Sequence, residues 1–347
     1  MHVDSRRYNK DTLFSYRATL MFSISERGLG KTFSAKCWCI DNFKNKGYRF
    51  VWIRRYAPEL FGDRKSGVDG CLKTFADDIR PYYPNDKLEV KGSHFYINGK
   101  DAGVFLALST SQQVKSNAFF NVNKIIFDEF IIKENKSATY LKNEPELLLD
   151  LMSTVFRPIV DENGHEVLQR TWLLANSITF ANDYFFYFNV KPFSGRFYQD
   201  KERLIVVEQC ENKAYREAVR KTRFGRLIKG TKYEDYAIDN QYRLDNNDFI
   251  GKKSSEAELM FNVRYDGHEW GIYADAYQVY VSWKVDPSRK FYVFTNSDHT
   301  LNSVLIKNYR ATIFETLVRN YQLGLVICEN IMIKKKFIDF MKLFIVK

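Results

Sequence analysis

A run of ten residues near the N-terminus combines the residue types that bind phosphate. Residues 23–32 read SISERGLGKT, follow an apolar stretch at 18–22 and precede a stretch of helix-forming residues that starts at Phe33. Glycines let successive backbone N–H groups curve around an anion, a lysine reaches the β- and γ-phosphates, and a threonine hydroxyl holds Mg²⁺. We therefore interpret this run as an ATP-binding loop whose members are Ser25, Glu26, Arg27, Gly28, Leu29, Gly30, Lys31 and Thr32.

One position departs from the usual phosphate-loop pattern. G-x-x-x-x-G-K-[ST] places a glycine where this chain has Ser25. The backbone N–H donors remain, so we still expect phosphate binding. The serine is the feature that leaves open a phosphate-loop protein that serves as a scaffold and hydrolyses nothing.

A second motif supplies two adjacent carboxylates. The segment 124–129, KIIFDE, is an apolar strand that ends in Asp128 and Glu129. An aspartate at a strand tip near the loop orients Mg²⁺, and a glutamate one residue later points to the other side of the strand, where it can activate water. Alone, this segment also fits an ordinary strand with a polar exit. Together the two motifs predict nucleotide hydrolysis, and the water-activating glutamate argues against a nucleotide kinase.

The elements around these motifs alternate between strand and helix. Helix is predicted over 31–45 and from Glu144 to the Arg157–Pro158 pair, and strands over 48–53, 169–175 (tipped by Asn176) and 203–208. This alternation predicts an α/β fold with a largely parallel sheet. Beyond about residue 241, short strands and a helix around 304–318 predict a smaller α/β domain. We expect an ATPase domain over 1–209, a basic linker over 210–240 and a C-terminal domain over 241–347.

Composition restricts the class of partner and the compartment. The 347 residues carry a formal charge of +11, which predicts an acidic partner such as nucleic acid. The five cysteines are odd in number and irregularly spaced, which fits reduced thiols better than a disulfide framework. The sequence contains no apolar run long enough to cross a bilayer, and its polar start is unlike a signal peptide.

Basic residues dominate the segment between the two expected domains. Residues 213–232 contain eight lysines and arginines against one acid, Glu217, and Arg216, Arg220 and Arg223 fall on one predicted helical face. A solvated linker helix and a contact surface for nucleic acid or a neighbouring subunit both fit this pattern.

Strings along most of the chain resemble one family. RGLGKT (27–32), RRYAPEL (54–60), VKGSHFYINGK (90–100), KSNAF (115–119), NKIIFDEF (123–130), LMSTVFR (151–157) and KTRFGRLIKGT (221–231) are similar to the DNA-packaging ATPase of small short-tailed phages with protein-primed linear genomes. The resemblance covers about residues 8 to 295.

The resemblance implies an architecture and partners. It implies a P-loop core of the ASCE type, with a mostly parallel sheet and helices on both faces, and a C-terminal domain similar to an RNase H-like nuclease that has lost its catalytic acids. It also implies a homo-oligomeric ring, usually pentameric, docked on the capsid portal in the host cytoplasm, pumping double-stranded DNA inward with ATP and Mg²⁺. Some relatives use a structural packaging RNA, which this sequence leaves open.

The resemblance also implies roles for individual residues. It places Lys31 and Thr32 at the phosphates and Mg²⁺, Asp128 at the metal, Glu129 as the base and Arg157 as a trans-acting arginine finger. Taken as sequence alone, Arg157 also fits a surface arginine or a helix C-cap. Asn176 is similar to a γ-phosphate sensor, and the residues that resemble DNA-gripping channel residues are Lys115, Lys133 and Lys136.

Two alternative functions follow from the same motifs. One is a terminase- or helicase-like DNA translocase that also cuts DNA, and the other is the non-hydrolysing scaffold. A two-metal nuclease needs several converging carboxylates. The C-terminal candidates fall in no recognisable arrangement, so we favour a non-cleaving domain; they are Asp275, Asp286, Asp298 and Glu315.

Overall fold

The computed structural model describes residues 8–63, 67, 69–114, 119–133, 138–238, 245–308 and 312–345. The chain divides into two compact units, Met1–Leu244 and Asp245–Lys347. The basic segment 213–232 therefore lies within the first unit.

The first unit is built on one nine-stranded sheet. Its strands are β1 (Leu20–Ser25), β2 (Arg49–Arg54), β3 (Leu88–Lys91), β4 (His94–Ile97), β5 (Lys100–Ala107), β6 (Val122–Asp128), β7 (Arg170–Asn176), β8 (Phe197–Asp200) and β9 (Ile205–Cys210). They lie in the order β3-β4-β5-β2-β6-β7-β1-β9-β8. The six strands from β5 to β9 in this order are mutually parallel, which confirms the predicted α/β class. β8 and the β3–β4–β5 meander add antiparallel edges.

This strand order decides which residues meet. Strand β7 lies between β1 and β6, so the loop that follows β1 and the carboxylates that end β6 are separated by one strand. Ser25 at the end of β1 pairs with Asn176 at the end of β7. Because parallel strands end at one edge of a sheet, the three tips converge there.

Helices cover this sheet and connect its strands. They are α1 (Asp11–Ser15), α2 (Lys31–Lys46), α3 (Ala57–Phe61), α4 (Glu144–Val155), α5 (Asp183–Tyr187), α6 (Lys213–Lys221), α7 (Arg223–Leu227) and α8 (Lys232–Ala237). Short 3₁₀ turns occupy Arg80–Tyr82 and Leu108–Val114. Helix α2 starts directly after Gly30 and ends at Gly47, both with positive φ, which glycine adopts without steric cost. Helix α4 ends two residues before Arg157, as the following proline requires.

The second unit contains a six-stranded mixed sheet. Its strands are β10 (Glu258–Tyr265), β11 (His268–Ala274), β12 (Val279–Ser282), β13 (Phe291–Val293), β14 (Ser303–Leu305) and β15 (Val326–Cys328), in the order β14-β13-β10-β11-β12-β15. Helices α9 (Ile313–Gln322) and α10 (Ile331–Ile345) pack on it through Phe314, Phe337 and Phe340. The helix predicted over 304–318 is wrong in its first part, because 303–305 pair with β13 as an edge strand. Among the described residues, no helix combines the length and apolarity needed to cross a membrane.

A buried ion pair joins the residue that follows strand β2 to the first residue of helix α4. The Arg55 guanidinium donates to both carboxylate oxygens of Glu144, at 2.7 Å from Nε and 2.8 Å from Nη2. It also donates to the backbone carbonyls of Glu129 and Phe130, at 3.2 and 2.7 Å. Tyr184 donates to the same carboxylate at 2.8 Å. Both charged side chains are inaccessible to solvent, so each depends on the other for compensation.

Arg55→Met is expected to lower the free energy of unfolding by about 3–5 kcal/mol, because it leaves the Glu144 charge buried without an opposite charge. Urea denaturation of the purified chain measures this. The control is Lys73→Met, whose exposed pair with Asp69 should contribute little. Equal losses for the two variants would contradict the assigned role of the buried pair.

Candidate nucleotide site

A cavity of about 250 Å³ opens at the edge of the sheet where β1, β6 and β7 end. It is lined by Gly28, Gly30, Lys31, Thr32, Phe33, Asp78, Asp128, Glu129, Leu174, Ala175 and Asn176. Residues from the tips of β6 and β7, the phosphate loop, the start of α2 and the segment around Asp78 therefore surround one space. The two sequence motifs meet here, although Thr32 and Asp128 are 96 residues apart.

The phosphate loop has the backbone shape that an anion site needs. Gly28 and Gly30 have φ of 84° and 100°, in the left-handed region where a side chain is strained. The loop lies between the end of β1 and the first turn of α2, where the helix dipole favours negative charge.

Lys31 and Ser25 form a contact inside this loop. The Lys31 ammonium donates to the Ser25 hydroxyl and lies 3.5 Å from the Glu26 carbonyl. Burial lowers the pKa of Lys31, while nearby carboxylates such as Glu26 and Asp128 oppose that shift. Ser25, where the usual pattern has glycine, therefore gives the buried ammonium a polar partner.

Thr32 and Asp128 have the chemistry and the spacing of a Mg²⁺ site. The Thr32 hydroxyl donates to Asp128 Oδ1 across 3.1 Å. Phosphate-loop proteins hold Mg²⁺ with such a hydroxyl and carboxylate, while phosphates and water complete the octahedron. Burial raises the pKa of Asp128, and the Arg54 guanidinium opposes the rise. A bound divalent metal ion would further favour the ionised form of Asp128.

Glu129 lies on the same side as Asp128, so the prediction that it points to the opposite side of the strand is wrong. Strand β6 ends at Asp128, and Glu129 follows with φ of +62°, an uncommon value for a residue with a side chain. Strand alternation therefore no longer applies. The side chain is about half exposed and faces the cavity. Such strain is often found at functional sites.

Arg54 joins the two carboxylates. Its Nη1 lies 3.2 Å from Asp128 Oδ2, and its Nη2 lies 2.8 Å from Glu129 Oε2. Its Nε donates to Glu59 at 3.2 Å. These carboxylates raise the pKa of Arg54 against the effect of burial, so the guanidinium stays charged. The sequence did not single out Arg54, and its place at the end of a buried strand was the available signal.

Asp78 is a further carboxylate at the cavity that the sequence did not indicate. Lys36, one helical turn after Thr32, donates to Asp78 Oδ1 at 2.9 Å and lies over the Phe75 ring. Asp78 comes from the loop-rich segment between α3 and β3.

The remaining predicted residues lie elsewhere. Ser25, Glu26, Arg27 and Leu29 belong to the loop but are outside the cavity lining. Arg157 is exposed beyond α4 and, among the described residues, is absent from the lining of its own subunit's cavity. Lys133 is exposed, while Lys115 and Lys136 fall outside the described residues.

Comparisons with known proteins agree on one family. A family model described as podovirus DNA encapsidation protein (Gp16) matches residues 3–345. The DNA packaging protein of Bacillus phage phi29 is 38% identical over 307 residues, which cover 87% of each chain. The structure of the bacteriophage phi29 genome packaging motor assembly is similar, with a TM-score of 0.76, 33% identity and coverage of 97% of this chain and 99% of that one. The N-terminal domain of the phi29 DNA packaging ATPase gives a TM-score of 0.51 and 36% identity over 60% of this chain and 98% of that domain.

Proposed function

The chain belongs to the podovirus DNA encapsidation protein family, and we propose that it is an ATP-driven motor that moves double-stranded DNA into a preformed capsid. Relatives named as a DNA packaging protein and as the packaging ATPase of phage phi29 support this assignment. The proposed partners are duplex DNA, the capsid portal and further copies of the chain in a ring.

The single observation that carries the ATPase assignment is the convergence in one cavity of Lys31, Thr32, Asp128 and Glu129. A buried lysine at a helix N-terminus neutralises phosphate, and the hydroxyl–carboxylate pair fits Mg²⁺. When bound, Mg²⁺ neutralises charge on the phosphates of ATP. A half-exposed glutamate beside that pair is placed to accept a proton from water.

The other residues at the sheet edge have supporting roles in this proposal. Asn176, at the tip of the strand between β1 and β6, lines the cavity, and we assign it the contact with the γ-phosphate. Arg54 holds Glu129 beside Asp128 until substrate enters. Both roles depend on side chains at strand tips, which a rigid sheet positions accurately.

Arg157 supplies the arginine finger to a neighbouring subunit. It is exposed at the end of an amphipathic helix and lies outside its own subunit's cavity lining within the described residues. A head-to-tail contact that closes on itself generates a ring in which each subunit faces its neighbour's site. A finger in trans stabilises γ-phosphate charge in the transition state.

The C-terminal unit is proposed to contact its partners without cutting DNA. Asp298 accepts from the backbone N–H groups of Asp266 and Gly267, and Asp275 accepts from those of Tyr277 and Gln278. These carboxylates stabilise turns. A metal-dependent nicking assay on supercoiled DNA tests this assignment, and cleavage lost on substitution of Asp298 would favour the terminase-like alternative.

DNA affinity is expected to fall steeply with salt and to depend little on base sequence, because phosphate contacts dominate. Substitution of Lys115, Lys133 or Lys136 by alanine should each reduce the slope of log K against log salt by about one. Fluorescence anisotropy over a salt series measures this. Lys91→Ala, at an exposed lysine paired with Glu89, is the control. Unchanged slopes for all three variants would show that these lysines do not contact the DNA phosphates.

The experiment that tests the function is steady-state ATP hydrolysis with and without duplex DNA, over a range of protein concentrations. A motor that completes its sites between subunits should gain specific activity as concentration rises. Absence of hydrolysis under every condition, with nucleotide still bound, would favour the non-hydrolysing scaffold.

A further inference from the structure

One helix outside the cavity contacts three consecutive residues of the phosphate loop. On α6, the Tyr215 hydroxyl donates to the Arg27 carbonyl at 2.9 Å. The Arg216 guanidinium lies 3.5 Å from the Glu26 carboxylate, which also accepts the backbone N–H of Asn212 at 3.3 Å. The loop therefore continues into α2 and also contacts α6.

Gly28 gives an independent sign of this close approach. A Cβ atom built at Gly28 would lie 2.4 Å from the Tyr215 hydroxyl oxygen. At Gly30, which has a similar left-handed backbone, a Cβ would meet no atom of the described residues within 4 Å. The φ of Gly28 favours glycine, and a side chain at this position would also displace the Tyr215 hydroxyl from the loop.

The Glu26–Arg216 pair is buried but loosely formed. Glu26 is inaccessible to solvent and Arg216 is largely covered. Within the described residues, Oε2 of Glu26 and both Nε and Nη2 of Arg216 are buried without a hydrogen-bond partner. Unsatisfied buried polar groups are costly, and a two-pronged arginine–carboxylate contact would satisfy all of these atoms. A small movement of the loop toward the helix would close the gap.

The Arg216 guanidinium is one of the groups that favour the ionised form of Glu26. Burial raises the pKa of Glu26, and backbone hydrogen bonds and the charge of Arg216 oppose that rise. A buried carboxylate does not help a phosphate loop to bind an anion. The contact of Glu26 with α6 is a reason for its presence in this loop.

We propose that Tyr215 and Arg216 are positioning residues of the phosphate loop, and that nucleotide binding is energetically coupled to the seating of helix α6 on Glu26, Arg27 and Gly28. This inference rests on the proposed ATPase function. A bound triphosphate draws the N–H groups of the loop inward, and the Arg27 carbonyl and the Glu26 carboxylate belong to the same short segment. Linkage requires the reverse effect: fixing α6 changes nucleotide affinity by the same factor.

Chain connectivity gives this coupling a use. After α6 the chain forms α7 and α8 and then enters the second unit. A change in the seating of α6 is thereby imposed on the segment that leads from the nucleotide site to the C-terminal unit. The basic segment, residues 213–232, then responds to nucleotide binding at the loop, in addition to any contact that it makes with nucleic acid.

Hydrogen exchange by mass spectrometry on the full-length chain tests the coupling. In the wild type, AMP-PNP with Mg²⁺ should slow exchange of the α6 amides by about tenfold, within the usual range of coupling between sites. Arg216→Met should reduce this response and weaken AMP-PNP binding by about tenfold. Lys221→Met, which removes an exposed charge from the same helix, should behave as wild type.

The double variant Glu26→Gln/Arg216→Met separates positioning from packing. Removing both charges relieves the buried-charge penalty, so its thermal stability should return toward wild type, while the α6 response stays reduced. A double variant whose α6 response equals that of the wild type would assign the pair a structural role only and overturn the proposal. So would a wild type that binds AMP-PNP with no change in α6 exchange, a result that leaves the ATPase function intact. Failure of the wild type to bind any nucleotide would instead overturn the ATPase function.

Discussion

Glu129→Gln is expected to lower kcat for ATP hydrolysis by about 10²–10⁴-fold, the usual contribution of a positioned general base. The amide keeps the shape of the side chain but cannot accept a proton from water. It also keeps one oxygen that can accept from Arg54, which now donates to Glu129 at 2.8 Å. ATP affinity should therefore change little, and single-turnover hydrolysis beside equilibrium binding would separate the two effects.

Glu59→Gln is the matched control for this variant. Glu59 accepts from the same guanidinium at 3.2 Å but, among the described residues, is outside the cavity lining. If the two amides lowered kcat equally, the loss would reflect disturbance of Arg54, and Glu129 would lose its assignment as the base.

Arg157→Ala is expected to lower kcat of the assembled ring by about 10³–10⁵-fold, the usual effect of removing an arginine finger. The loss should appear only where subunits associate, because the exposed Arg157 lies outside its own subunit's cavity lining within the described residues. Hydrolysis measured against protein concentration tests this: the wild-type rate per subunit should rise with association, and the variant rate should stay at the level of dilute protein.

A second exposed cation near the same helix provides the control. Lys142 precedes the N-terminus of α4, at the opposite end from Arg157, and Lys142→Ala should retain wild-type activity. A variant Arg157→Ala with normal activity at high concentration would return this arginine to the role of a surface residue.

The local parts of the site could be predicted from sequence because their residues are close together in the chain. The loop around Lys31, the carboxylates that end β6 and the stop of α4 before Pro158 each depend on a few neighbouring residues. The alternation of strand and helix predicted a largely parallel sheet but not the order of its strands, and it is that order which brings these tips together. The resemblance to packaging ATPases predicted an arginine finger at Arg157. Its position in the sequence alone also fits a surface arginine or a helix C-cap.

The missed features are contacts between distant segments or local exceptions to a regular pattern. Arg54 and Arg55 are adjacent, yet Arg54 joins Asp128 to Glu129 and Arg55 is buried against Glu144. No local pattern distinguishes them. The pairing of Glu26 with Arg216 spans most of the first unit in sequence. The side of Glu129 was predicted wrongly because a left-handed residue interrupts strand alternation. Strand β14 was read as helix because three residues are too few for a period to be seen.

Complementation between two inactive variants tests the central claim most directly. Each variant retains one of the two residues: Arg157→Ala retains Glu129, and Glu129→Gln retains Arg157. In a mixed ring, a site is complete where an Arg157→Ala subunit supplies the cavity with Glu129 and its Glu129→Gln neighbour supplies Arg157. Equimolar mixing of the two variants should then restore hydrolysis, up to about a quarter of the wild-type rate for random assembly of a closed ring. A mixture as inactive as each variant alone, under conditions where the subunits exchange, would contradict hydrolysis at subunit interfaces.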